Sequence, residues 1–215
     1  MEHTDFNNKL IGILRGYDSE DALFAAEKAV EAGLSIIELA IRQGYEREDI
    51  TTLLTLRKYL PENVLLGAGT VIDLRTLNAA QRCGIDFVVS PGLVRDVLAL
   101  CVSRAIPCIP GALTPTEILE ANSLGAFMVK MFPADAMGPA YIRAVKTPLT
   151  DVKLVAMGGI TPENIGEYSK AGVTAFGIST GFFVPDEVKK HNADAIKKRI
   201  SAYNDALDTA IKSKS

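Results

Sequence analysis

Lys130 stands in the apolar run Ala126-Phe-Met-Val-Lys-Met-Phe-Pro-Ala-Asp135, crowded by Val129, Met131 and Phe132. Burial disfavours the ammonium and favours the neutral amine, which is the form that attacks carbonyl carbons to make Schiff bases. The alternative is a lysine at a strand end whose stem packs on apolar neighbours while its head reaches water. A second apolar run, Ser35-Ile-Ile-Glu-Leu-Ala-Ile-Arg42, carries two isolated charges of opposite sign, Glu38 and Arg42. Strand alternation puts Glu38, Ala40 and Arg42 on one face and Ile37, Leu39 and Ile41 on the other. If the first face looks inward, its charges are costly unless paired or used, so a structural ion pair and a functional group both stand as readings. By the same parity Lys130 shares a face with Met128 and Phe132, whose bulk would lower the pKa of an amine. In the functional reading Arg42 grips a carboxylate through two parallel hydrogen bonds and Glu38, one layer deeper, moves protons directly or through a water. With Lys130 as nucleophile, the three describe handling of a 2-oxo acid.

Such residues need strands to hold them, and the chain supplies a regular series. Apolar, β-branched segments near 9–15, 35–42, 64–69, 86–90, 106–110, 127–132, 153–157 and 174–179 alternate with stretches of helical period. Eight such units with short connections and no break in composition predict a (β/α)₈ TIM barrel, an α/β fold, as a single domain over 1–215. An open doubly wound sheet is the other arrangement of the same pattern, although no Gly-x-Gly-x-x-Gly follows the first strand. Helix starts are expected at Thr114-Pro-Thr-Glu117, a capping box with proline at the first helical position, and at Thr161-Pro-Glu-Asn164. A C-terminal amphipathic helix is expected over about 186–212, with Ile196, Ile200, Tyr203, Leu207 and Ile211 on one stripe.

Three segments at strand C-termini, the functional face of such a barrel, are Gly67-Ala-Gly-Thr-Val71, Ser90-Pro-Gly92 and Gly158-Gly-Ile-Thr161. Gly158 and Gly159, together with Ser179-Thr-Gly181, offer small residues and free amides where barrels often hold phosphate, though ordinary tight turns look the same.

Composition narrows the classes. The chain has 215 residues, 48% of them hydrophobic, and a net charge of −3 with interspersed signs, so nothing suggests a nucleic-acid partner. No apolar run approaches the ~20 residues of a membrane span, and the polar start Met1-Glu-His-Thr-Asp-Phe-Asn-Asn8 lacks the layout of a secretion signal, so a cytoplasmic location is expected. Cys83, Cys101 and Cys108 match neither a zinc site nor a redox pair and read as inert core or helix residues. His3 and His191 lie near the termini, so a histidine triad or a histidine-ligated metal is not expected.

These landmarks together resemble the class I aldolases that cleave 2-keto-3-deoxy-6-phosphogluconate and 4-hydroxy-2-oxoglutarate. They run in order through nearly the whole chain as Ile13-Leu-Arg-Gly16, Ile37-Glu-Leu-Ala-Ile-Arg42, Gly67-Ala-Gly-Thr-Val71, Ser90-Pro-Gly-Leu93, Ile109-Pro-Gly111, Val129-Lys-Met-Phe-Pro-Ala134, Gly158-Gly-Ile160 and Val184-Pro185. The resemblance implies that Lys130 forms the Schiff base, Glu38 shuttles protons, Arg42 and Thr70 hold the pyruvate carboxylate, Pro91 and Phe132 shape the pocket, and Arg15 is a further contact. It also implies a 2-oxo sugar acid and pyruvate as small-molecule partners, no metal or other cofactor, and a homotrimer. Two positions depart from the family pattern: Met157 stands where threonine is common in the phosphogluconate enzymes, and Ser179-Thr180-Gly181 stands where Gly-Gly-Ser is frequent. Both meet the part of the substrate beyond pyruvate, so specificity is expected to differ there. Another phosphosugar barrel enzyme, or a barrel that binds a sugar acid without turnover, are the rival readings.

Overall fold

The computed structural model describes residues 5–213. Parallel strands β1 (Lys9–Leu14), β2 (Ile36–Ala40), β3 (Leu65–Gly69), β4 (Phe87–Val89), β5 (Cys108–Ile109), β6 (Gly111–Ala112), β7 (Val129–Met131), β8 (Leu154–Met157) and β9 (Ala175–Ile178) hydrogen-bond in the order β5-β4-β3-β2-β1-β9-β8-β7-β6. The two ends of that ladder are consecutive in the chain, so the sheet curls into the expected (β/α)₈ barrel. The single fifth strand expected over 106–110 is instead two short pieces. Pro110 has no N–H to give to the ladder and separates them. Its carbonyl still accepts from Lys130 N at 2.9 Å, and Cys108 O accepts from Phe127 N at 2.9 Å, which ties the fifth stave to β7.

Helices α1 (Ser19–Glu31), α2 (Glu46–Tyr59), α3 (Leu74–Gln81), α4 (Arg95–Ser103), α5 (Pro115–Ser123), α6 (Gly138–Lys146) and α7 (Ile165–Lys170) cover the outside, followed by α8 (Pro185–Lys189) and α9 (Ala193–Lys212). Thr114 and Glu117 form the expected reciprocal capping box on α5. At Thr161 the expectation needs correction. Asn164 occupies the cap of α7, its Oδ1 accepting from Thr161 N at 2.9 Å, so Thr161 and Pro162 make the turn that leads into the helix. The C-terminal helix expected over 186–212 is likewise divided. His191, at φ +49°, breaks the run, and Asn192 starts α9 by accepting from Ala195 N at 3.1 Å. Ile196, Ile200, Tyr203 and Leu207 are buried as the stripe requires. The part of the polar start at Met1–Thr4, with His3, lies outside the described residues.

Alternation along the strands divides the apolar residues into two cores. Ile37, Leu39, Ile41, Val129 and Met131 belong to the large layer between sheet and helices. Ile11, Ile36, Phe87, Val89, Ile109, Met128, Val155 and Met157 fill the barrel interior together with Phe6. Inward glycines make room for these side chains. A Cβ on Gly67 would run into the Phe87 ring, and one on Gly177 would lie 2.6 Å from Met157 Cγ and 2.9 Å from Ile13 Cδ1. Large and small residues thus interdigitate across the lumen, as close packing of a narrow barrel demands.

Gly67→Ala is expected to destabilise the protein by about 1–3 kcal/mol through overpacking, because the neighbour that must give way is a fully buried ring. Thermal unfolding checks it, and adding Phe87→Leu should recover part of the loss. Full retention of stability in the single variant would contradict the packing described.

Candidate active site

Lys130 lies in the middle of β7, registered between Gly111 and Val155, with 9% of its surface exposed. Glu38 lies on β2 between Ile13 and Gly67 and is 2% exposed. Both side chains turn into the barrel, as their parity requires, while Val129, Met131, Ile37 and Leu39 turn out. Gly69 is what gives Glu38 its space, since a Cβ there would overlap the carboxyl group. Oε2 of Glu38 is buried and has no hydrogen-bond partner among the described residues. An ionised carboxylate in that position is costly. Burial therefore pushes the Glu38 pKa up, with the positive charges of Lys130 and Arg15 pulling the other way. For Lys130 burial pushes the pKa down, opposed by Glu38 and assisted by Arg15. Each group is thus moved from its ordinary value toward neutral pH, which suits an amine that must be uncharged to react and a carboxyl that must both give and take a proton. The Lys130 Nζ sits 4.5 Å from the centroid of the Phe132 ring, which is 42% exposed at the mouth.

These side chains open into a cavity of about 700 Å³. Of the residues singled out from the sequence, Lys130, Glu38, Arg15, Thr70, Pro91, Phe132, Met157, Gly158, Gly159, Ser179, Thr180 and Gly181 all line it. Thr70 has φ +60°, a costly conformation for a β-branched residue and one that concentrates at functional positions. Ser90 Oγ donates to Gly92 O at 2.8 Å and so folds the turn that presents Pro91. Across the cavity, Gly158 and Gly159 have φ +92° and +68°, and Gly159 packs against Asp135. Gly181 packs against the Tyr203 hydroxyl, which donates to Ile160 O at 2.8 Å. The cavity therefore has an ionisable end around Lys130 and Glu38 and a glycine-rich, main-chain end at the last two strand termini.

Arg42 is the exception. The structure does not bring it into the lining of this cavity, because strand β2 ends at Ala40 and the side chain is held by Asp49 of α2. Several further lining residues had been given no role of their own from the sequence. Ile13, Ala40, Ile160, Thr161, Gly177 and Ile178 come with the strands already identified, whereas Tyr203 arrives from α9. Its place on the buried stripe was readable, but its reach to the barrel mouth was not. Cys83, Cys101 and Cys108 are buried free thiols that do not line the cavity.

The profile of a family described as KDPG and KHG aldolase matches residues 3–199 of the chain. A relative from Escherichia coli (strain K12) named 2-dehydro-3-deoxy-6-phosphogalactonate aldolase is 30% identical over 199 residues, 92% of this chain and 96% of the relative. A 2-dehydro-3-deoxy-phosphogluconate aldolase from Treponema pallidum (strain Nichols) is 37% identical over 150 residues, 69% of this chain and 70% of the relative. Among solved structures, KDPG aldolase from Legionella pneumophila, with pyruvate captured as a covalent carbinolamine intermediate, superposes with a TM-score of 0.83 at 30% identity, covering 90% of this chain and 93% of that one.

Only the neutral amine reacts with an arylating reagent such as trinitrobenzene sulfonate, so Lys130 should be labelled at lower pH than the exposed lysines, as mapped by peptide mass. Glu38→Gln removes the charge that favours the ammonium and should move the midpoint of that labelling to still lower pH. A midpoint that rises, or does not move, would contradict the coupling.

Proposed function

The chain belongs to the KDPG and KHG aldolase family, whose members are carbon–carbon lyases, and on that premise we propose that it cleaves 2-keto-3-deoxy-6-phospho sugar acids to pyruvate and an aldehyde through a Schiff base on Lys130. The observation that carries this reading is a desolvated amine and a buried carboxyl, one of whose oxygens has no hydrogen-bond partner among the described residues, facing one cavity. Neutral Lys130 Nζ attacks the C2 ketone, the carbinolamine loses its hydroxyl as water, and the iminium becomes the electron sink. The C4 hydroxyl gives up its proton, the C3–C4 bond breaks, and its electron pair forms the enamine of pyruvate while the aldehyde departs. Glu38 takes the first proton and returns one to C3, directly or through a water, after which hydrolysis of the iminium frees pyruvate and the amine. The raised pKa of Glu38 suits both halves of that exchange. Thr70, with Arg42 beside it, receives the pyruvate carboxylate, Arg15 adds positive charge, and Pro91 and Phe132 wall the three-carbon unit.

The distal half of the substrate falls to Met157, Gly158, Gly159 and the turn Ser179-Thr180-Gly181. Glycine-rich turns bind phosphate through main-chain amides, so we assign the phosphate to this end. Met157 offers no hydroxyl to a sugar alcohol, and its side chain packs into the gap left by Gly177. Sites that discriminate by a hydrogen bond lose that discrimination when the partner is apolar. The enzyme therefore accepts both the gluconate and the galactonate configuration at C4. Support comes from the names of its relatives, one a phosphogalactonate and one a phosphogluconate enzyme. Unphosphorylated 4-hydroxy-2-oxoglutarate, which would yield glyoxylate, is the weaker substrate on this assignment.

A homotrimer in the cytoplasm completes the proposal. Leu74 on α3, Val102 on α4 and Leu119 on α5 are between 41% and 49% exposed on consecutive helices, apolar side chains that further copies would cover. Sedimentation should then give three times the 23.1 kDa chain mass.

Borohydride added with pyruvate should fix one reduced adduct on Lys130, and Lys130→Ala should lose both adduct and turnover. Glu38→Gln should lower kcat by about 10²- to 10⁴-fold while leaving pyruvate trapping measurable. Met157→Thr should shift the ratio of kcat/KM between the two C4 epimers by about tenfold or more. Wild-type turnover by Lys130→Ala, or sugar-phosphate isomer interconversion that a chelator abolishes, would refute the assignment.

A further inference from the structure

Asp49 lies in the first turn of α2 and is 1% exposed, which is expensive for a carboxylate without close partners. It spends both oxygens on a single residue. Arg42 N donates to Oδ2 at 2.7 Å, Nε donates to Oδ1 and Oδ2 at 3.2 and 3.1 Å, and Nη2 donates to Oδ1 at 2.6 Å. The main-chain bond matters as much as the ion pair. Ile41 N is the last amide of this segment to reach the neighbouring strand, donating to Gly69 O at 2.9 Å, and the next amide is claimed by Asp49. The carboxylate thus anchors the chain just beyond the strand that carries Glu38.

The guanidinium is held along its Nε–Nη2 side, with its Cζ 4.7 Å from the centroid of the Tyr45 ring. A guanidinium has five N–H donors in a fixed plane, and a carboxylate on the Nε–Nη2 side leaves the Nη1–Nη2 end free for a second one. Arg42 lines a small cleft of about 210 Å³ that shares Thr70 with the Lys130 cavity. It also lines a larger cleft that shares Arg15 with that cavity. Thr70 thus joins a cleft lined by Arg42 to the Lys130 cavity, so a carboxylate received at Thr70 borders the space that Arg42 lines.

We infer that Asp49 is a positioning residue for substrate recognition, orienting Arg42 by its side edge so that the end edge is left for the carboxylate of the 2-oxo acid. The inference rests on the Schiff-base reading above and adds to it the residue that sets carboxylate selectivity. Asp49→Asn keeps an acceptor for Arg42 N but places an amide where the guanidinium needs a second acceptor, so the fork loses its fixed orientation.

The test compares borohydride trapping by pyruvate with trapping by pyruvamide, its neutral analogue, in wild type, Asp49→Asn, Arg42→Ala and the Arg42→Ala/Asp49→Asn double variant. In Asp49→Asn the pyruvate concentration for half-maximal trapping should rise about tenfold or more, while that for pyruvamide stays near wild type. With the sugar acid, KM should rise far more than kcat falls. In the Arg42→Ala background the same substitution should add nothing to the loss. If Asp49→Asn fails to fold, Asp49→Glu, which keeps the charge one methylene further out, should show the same selective loss in weaker form. Equal weakening of both probes, no weakening, or a loss that persists without Arg42 would overturn the inference. Absence of any pyruvate adduct on wild-type Lys130 would instead overturn the Schiff-base reading from which it starts.

Discussion

An amine and a carboxyl group share the interior of an apolar barrel, and neither can be satisfied there as an ordinary surface charge would be. Lys130 is held by a short strand among aliphatic and aromatic side chains, and Glu38 has a buried oxygen with no hydrogen-bond partner among the described residues. Burial works against the charge on each, and their mutual attraction works for it. Burial shifts each group from its ordinary value, and the attraction between them limits that shift. The rest of the site is arranged around that balance. The glycines at 67, 69 and 177 leave the lumen room for these side chains, and the cavity is lined by residues at the strand C-termini as well as by Lys130 and Glu38.

The barrel supplies direction as well as enclosure. Strand parity aims Glu38 and Lys130 inward from staves that are not adjacent in the ladder, so they meet across the lumen and not along a sheet face. The staves between β7 and β1 end in Gly158-Gly159 and in Ser179-Thr180-Gly181, which puts a glycine-rich backbone on one side of the mouth. Thr70 and Pro91, from β3 and β4, take the other side. In the proposed function one small ligand is read at two ends by different means, charge and covalency at one and backbone dipoles at the other.

Much of this was legible in the chain because alternation of period two is a strong local signal, and it placed Glu38 and Lys130 on the interior face that the structure gives them. Gly-rich segments at strand ends were equally visible. What could not be read depended on contacts between elements. Arg42 was assigned to the lumen by parity, but β2 ends before it, and a helix seven residues on supplies the carboxylate that claims it. Asp49 itself sits in Glu46-Arg47-Glu48-Asp49, which looks like a solvated face; only its spacing to Leu53 and Leu56 hinted at burial. Pro110 divided a strand whose apolar pattern ran through it. His191 and Asn192 broke a helix whose hydrophobic stripe hid the interruption. In each case a single backbone donor or dihedral overruled a pattern averaged over many residues.

The glycine gaps carry a consequence for how such a protein can change over time. Gly69 has no side chain because the carboxyl of Glu38 fills its place, and Gly177 has none because Met157 does. Neither member of these couples is free to vary alone. A lineage that enlarges position 177 must first trim position 157, and one that fills position 69 must surrender the acid at 38. Substitutions inside this lumen should therefore arrive as matched pairs, with the 157–177 couple open to exchange and the 38–69 couple frozen for as long as the chemistry is kept.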